Sequence, residues 1–155
     1  MVKIREAREE ELLKVGRLWG KFMAFNTEFN SSFRIKKKAP EIFSKEMIEK
    51  IKDSSCRLTV AEIDGEIVGF CYSYISHKPK HFKLEKFGFV GDLYVEPDCR
   101  RQGVGRMLVD DTLAFFSKRK VRQIELLVAI KNIDAVRFWE SLGFSHLLTW
   151  MYKRT

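Results

Sequence analysis

The chain has 155 residues, 45% of them hydrophobic and 13% aromatic, with 29 Lys and Arg set against 21 Asp and Glu for a formal charge of +8. That is core material for a single domain over residues 1–155, and it argues against a disordered chain or a two-domain one. The three cysteines form no Cys-x-x-Cys pair, which argues against a disulfide framework or a zinc ribbon.

No apolar run reaches spanning length and no signal-type apolar segment opens the chain, so the expectation is a cytoplasmic protein with no membrane partner. Positive charge favours anionic partners. No RNP, KH or zinc-finger pattern accompanies it, so nucleic acid is not expected.

Residues 2–5, "VKIR", read as an opening strand. In the stretch that follows, Leu12, Val15, Leu18, Trp19, Phe22 and Phe25 recur at helical spacing. A loop rich in Asn and Ser leads to a second helix that starts near Pro40. Leu58 and Val60 then alternate with Arg57 and Thr59 as in a strand. Asp64-Gly65 supplies a tight hairpin turn, and a second strand runs from Glu66 to about Ser76. "HKPKHFKLEK" reads as a basic loop, and "FGFVGDLYV" as the third strand of a meander. After a glycine turn, Val104, Met107, Leu108, Thr112 and Phe115 mark a helix. "RQIELLVAI" is almost fully apolar, which predicts a strand central in the sheet. "NIDAVRFWESLGF" predicts a helix capped by Asn132, with Ala135, Phe138, Trp139 and Leu142 inward and Gly143 as its stop. "FSHLLTWMYKR" predicts a closing strand. The order is β-α-α-β-β-β-α-β-α-β, an α/β (mixed α+β) chain in which an antiparallel meander leads into a strand-helix-strand unit whose two strands are expected to be parallel.

The stretch "RRQGVGRM" raises the question of phosphate binding. A P-loop needs a Gly-Lys-Ser/Thr end that is absent, and a dinucleotide fingerprint needs a third glycine that is absent too. The segment Arg100 to Gly105 matches [Q/R]-x-x-G-x-[G/A]. Upstream stands "EIDGEIVGF" and downstream "NIDAVRFWESLGF". With these in register over residues 56–145, the chain resembles the GNAT superfamily of acetyl-CoA-dependent N-acetyltransferases.

That resemblance implies a twisted, mostly antiparallel sheet with a splayed parallel strand pair and flanking helices. It implies acetyl-CoA as co-substrate and a small-molecule or protein amine as acceptor, with a homodimer in view. Carried over, the backbones of Leu93 and Val95 would pair with the pantetheine arm. Arg100, Arg101, Gln102, Gly103, Val104, Gly105 and Arg106 would hold the pyrophosphate, where helix N–H groups and arginines favour an anion. Asn132 would bond the cofactor arm or only cap its helix. Asp92 would be the base that deprotonates the amine, and Glu28 and Phe29 would line the acceptor pocket. Many family members carry Tyr where this chain has Trp139. An indole is no acid, so Trp139 is expected to pack against the cofactor arm or core, and Tyr94 becomes the substitute proton donor. No metal is expected. The alternatives are a family member that binds CoA without turnover, or a basic nucleic-acid-binding module.

Overall fold

The computed structural model describes residues 1–155. Its elements run β1 (Val2–Glu6), α1 (Leu12–Thr27), α2 (Ala39–Lys50), β2 (Cys56–Ile63), β3 (Glu66–His77), β4 (Lys86–Val95), α3 (Val104–Lys118), β5 (Ile124–Leu126) and α4 (Ile133–Ser141). The five strands form one sheet in the order β1-β2-β3-β4-β5. The first three pairings are antiparallel and β4–β5 is parallel. Asp64 and Gly65 both take positive φ, the backbone a two-residue hairpin turn requires.

The sheet separates two apolar clusters. On one face α1 and α2 pack Leu12, Val15, Leu18, Phe43 and Met47 onto Leu58, Val60, Phe70, Tyr72 and Tyr94. Gly16 makes the approach of α1 and α2 possible: a Cβ there would lie 2.0 Å from the Ser44 hydroxyl and 2.6 Å from the Pro40 carbonyl. On the other face Val104, Leu108, Val109 and Phe116 of α3 pack with Cys71, Val90, Val95 and Trp139. Arg57 of β2 clamps α3 to the sheet through two bonds to the Asp111 carboxylate, at 2.8 and 2.9 Å, and the Thr59 hydroxyl adds a third at 2.9 Å.

Three expectations need correction. The apolar segment 122–130 forms only the strand Ile124–Leu126, and that strand is an edge. Its parallel ladder stops at Val90↔Leu126, and Leu127 and Ile130 beyond it are exposed. An apolar run marks a central strand only when a further strand covers its outer edge, and none does. The closing strand over 144–154 is absent as well. A strand exists through its ladder, and residues 145–155 make no backbone hydrogen bond. Met107, read into the buried stripe of α3, is exposed, whereas Leu108 and Val109 beside it are fully buried.

Candidate functional site

The site begins with one extra residue in β4. The β3–β4 register slips between Tyr72↔Asp92 and Ser73↔Val90, leaving Gly91 unopposed as a bulge. The slip resets the alternation of side chains. Val90, Leu93 and Val95 therefore all face the α3 cluster, and Tyr94 faces the α1 cluster. The parallel β4–β5 ladder also ends at Val90. Past the bulge the two strands part, and β4 has an open edge from Asp92 to Val95.

The groups on that edge follow from strand geometry. The Glu96 N–H donates to the Val68 carbonyl at 2.8 Å, so Glu96, Tyr94 and Asp92 turn their backbone polar groups toward β3. Leu93 and Val95 turn theirs into the cleft. The Val95 carbonyl there accepts from Arg100 Nε at 2.8 Å.

The glycine turn stands at the mouth of the cleft. Gly103 is the N-cap of α3 at φ +81°, and Arg101 also has positive φ. These left-handed residues open the turn outward. From Arg101 to Arg106 no backbone N–H donates to an acceptor in the chain; the first to do so is Met107, to the Gly103 carbonyl at 3.0 Å. The result is a run of free donors at the positive end of a 15-residue helix. Arg101 and Arg106 are exposed beside it, and Gln102 braces the turn by donating to the Asp98 carbonyl at 3.1 Å. Val104 is buried and anchors the helix start. A Cβ on Gly105 would be in ordinary contact with Phe138. Arg100 is turned away from this set. Its guanidinium lies over the rings of Phe25 and Tyr94, 5.5 and 5.6 Å from their centroids.

Asp92 sits at the bulge, half-buried. Burial pushes its carboxyl up to about 6, and the Trp19 indole acts weakly the other way. Sequence reasoning singled out Asp92 but missed its neighbour Trp19, whose ring stacks on Phe43 at 4.6 Å and is held from α1. Tyr94, expected as a proton donor, gives its hydroxyl proton to Glu96 at 3.0 Å, and Glu96 also pairs with Lys21 of α1. Burial and Glu96 push the phenol up to about 12.

The remaining expected residues lie around this frame. Asn132 accepts the Ala135 N–H at 3.2 Å and so caps α4, leaving its side-chain amide N–H free to donate. Trp139 is buried between Phe138 and Phe144, each centroid 5.1 Å away, and packs as core. Phe29 meets Phe25 edge-on at 5.2 Å, which links it through Arg100 to Tyr94. Glu28 is exposed at the C-terminus of α1. Nothing brings it into contact with Asp92.

The model of the Acetyltransferase (GNAT) family matches residues 22–144. An uncharacterized N-acetyltransferase of Methanocaldococcus jannaschii is 29% identical over 119 residues, 75% of this chain and 50% of that one. N-alpha-acetyltransferase 30 of Dictyostelium discoideum is 31% identical over 88 residues, 57% of this chain and 45% of that one. The chain thus spans about half the length of these relatives. Among solved structures, a tetramutant of the BH1408 protein of Bacillus halodurans superposes with a TM-score of 0.86 over 99% of both chains at 23% identity, which is a likeness of fold.

Proposed function

The chain belongs to the acetyltransferase (GNAT) family, and from that membership we infer that it transfers an acetyl group from acetyl-CoA to a primary amine by direct attack. The observation that carries this reading is the run of unpaired N–H groups from Arg101 to Arg106 at the mouth of an open strand edge. Acetyl-CoA when bound supplies an activated acetyl thioester.

The residues divide the work. Free N–H groups of the glycine turn, with the side chains of Arg101 and Arg106, neutralise a pyrophosphate. The cleft-facing backbones of Leu93 and Val95 pair with an extended amide-bearing arm as an added strand would. The free amide N–H of Asn132 donates to the same arm, and Trp139 supports the wall behind it. The Val95 N–H donates to the thioester oxygen, where negative charge builds as the amine attacks. Asp92 takes the proton that an ammonium with a pKa of ~10 must lose. A carboxyl held near 6 is mostly ionised at neutral pH yet more basic than an ordinary aspartate.

Tyr94 is a poor donor to the departing thiolate. A phenol near 12 would have to protonate a thiolate whose acid has a pKa of about 8.5. We assign it instead to holding Glu96 and Lys21 at the end of β4, and Tyr94→Phe is expected to keep kcat within a few-fold; a hundred-fold loss would restore the proton-donor role.

The acceptor is a primary amine on a small molecule or a protein, approached past Phe29 with Glu28 attracting its charge. The name of the Dictyostelium relative supports including protein α-amines among the candidates. Calorimetry with acetyl-CoA followed by thiol release across a panel of amines and peptides tests the reading. Micromolar binding and amine-dependent release are expected. Binding without release for any amine would leave a CoA-binding protein without turnover, and absence of binding would overturn both.

A further inference from the structure

Three carboxylates lie along the face of the sheet that looks toward α1. Register partners share a face, so Glu125 of β5 lies with Phe89 of β4, and Asp92 with Tyr72 of β3. Glu96 follows directly after β4. The two outer carboxylates take their cations from the chain. Glu125 pairs with Lys78 at 2.9 Å and accepts from Gln123 at 2.7 Å, and Glu96 pairs with Lys21 of α1. The middle one has no such partner. No Lys, Arg or His acts on Asp92, and the Trp19 indole is the one donor that reaches it.

What surrounds Asp92 is aromatic. The Tyr72 ring lies against the bulge, where a Cβ on Gly91 would come within 3.2 Å of it. Its hydroxyl is turned to Cys56 Sγ, 3.7 Å away, and not to the carboxylate. Tyr74 packs on Tyr72 at 5.7 Å and on Phe89 at 5.4 Å. Trp19, Tyr74 and Phe89 are half-buried, so part of each ring is open to a ligand. Ring faces attract cations, and a carboxylate drawn from water gains most from a partner of opposite charge. The same face holds this combination already filled. Lys78 Nζ stands 4.2 Å from the centroid of Phe87 while it pairs with Glu125. At Asp92 the chain supplies rings and a carboxylate but no ammonium of its own.

We propose that Asp92, Tyr72, Tyr74, Phe89 and Trp19 seat the ammonium of the acceptor, and that this acceptor carries a single positive charge on an aromatic or aliphatic group, to the exclusion of polyamines. The proposal names the acceptor class of the acetyl transfer inferred above and rests on it. The exclusion follows from the flanks. Lys78 and Lys21 occupy the neighbouring carboxylates, so a second ammonium on the ligand meets fixed positive charge and no free anion. A free arylalkylamine and the α-amine of a chain with an aromatic first residue present the same chemistry.

Calorimetry at pH 7, with and without saturating CoA, tests the seat apart from turnover. The probes are 2-phenylethylamine, the peptide Phe-Gly-Gly, uncharged 2-phenylethanol and spermidine. At least one of the first two is expected to bind about tenfold or more tighter than the alcohol and spermidine. Binding of the amine alone makes the source a free amine, and binding of the peptide alone makes it a chain terminus; either supports the proposal. Asp92→Asn should weaken the amine about tenfold and leave the alcohol unchanged. Lys78→Met keeps an apolar stem over Phe87 and frees Glu125, so spermidine should gain about tenfold while 2-phenylethylamine stays within about twofold. Lys21→Met, at an exposed position of α1, should act alike at Glu96 and serves if the first variant fails to fold. No binding of either monoamine in either condition overturns the proposal, as does spermidine binding as tightly as they do or gaining nothing from both lysine changes. Selective monoamine binding without thiol release would leave the seat standing and remove the transferase. Thiol release with spermidine as fast as with 2-phenylethylamine would do the reverse.

Discussion

At Asp92, stability and the proposed chemistry pull in opposite directions. Its carboxyl is half-buried beside the Gly91 bulge and held near 6, against an ordinary 3.8. The displacement corresponds to roughly 3 kcal/mol in favour of the neutral form. The folded chain therefore binds the proton more tightly than the unfolded one, and stability falls as pH rises from about 4 to about 6 and stays low above. Asp92→Asn is expected to be more stable than the parent by up to roughly 3 kcal/mol at pH 8, with the difference vanishing near pH 4, in denaturant titrations at both pH values. Turnover moves the opposite way. With Asp92 as base, thiol release falls as pH drops through about 6, and the Asn variant loses about 100-fold at neutral pH together with that limb of the profile. A gain in stability without a loss in rate would make Asp92 a structural residue only. The sequence pointed to Asp92 because a carboxylate in an apolar strand is costly. It could not point to Trp19, whose meeting with Asp92 depends on how α1 crosses the sheet.

At the scale of elements, the glycine turn and α3 work as one unit. The turn was legible because its spacing is local: Gly103 adopts the positive φ that its place before the helix demands. A side chain at Gly103 would meet nothing within 4 Å, so the obstacle to substitution is backbone strain alone. A non-glycine residue in the left-handed region costs roughly 1–2 kcal/mol, and a β-branched one relieves this by moving the turn. Gly103→Val is expected to raise the Kd for acetyl-CoA at least tenfold by calorimetry while the helical dichroism persists. An unchanged Kd would remove the turn from the cofactor site. The Arg57–Asp111 clamp that seats α3 was not legible, since its partners are 54 residues apart. The same limit explains the two strands misjudged at the end of the chain. Apolar composition records that a segment seeks cover, and local pattern says nothing of which neighbour supplies it.

For the molecule as a whole, the order of helices and strands as far as α4 and the hairpin could be read in advance and the splay followed from the family resemblance, while the edge position of β5 and the bulge at Gly91 required the pairing itself. The sheet stands as a wall between the α1–α2 cluster and the α3–α4 side, and β4 turns Tyr94 to one side and Leu93 and Val95 to the other. Two ligands entering from opposite sides of that wall do not compete for space, and neither has to leave before the other arrives. Under the proposed function both are present together when the acetyl group moves, and the chain itself never carries it. Initial rates measured against both substrates should give intersecting double-reciprocal lines, and parallel lines would indicate an acetylated protein. If the amine and the donor bind as proposed, a wall of this kind also uncouples inheritance, because residues facing α1 and α2 can vary to suit a new amine while those facing α3 continue to serve the same donor.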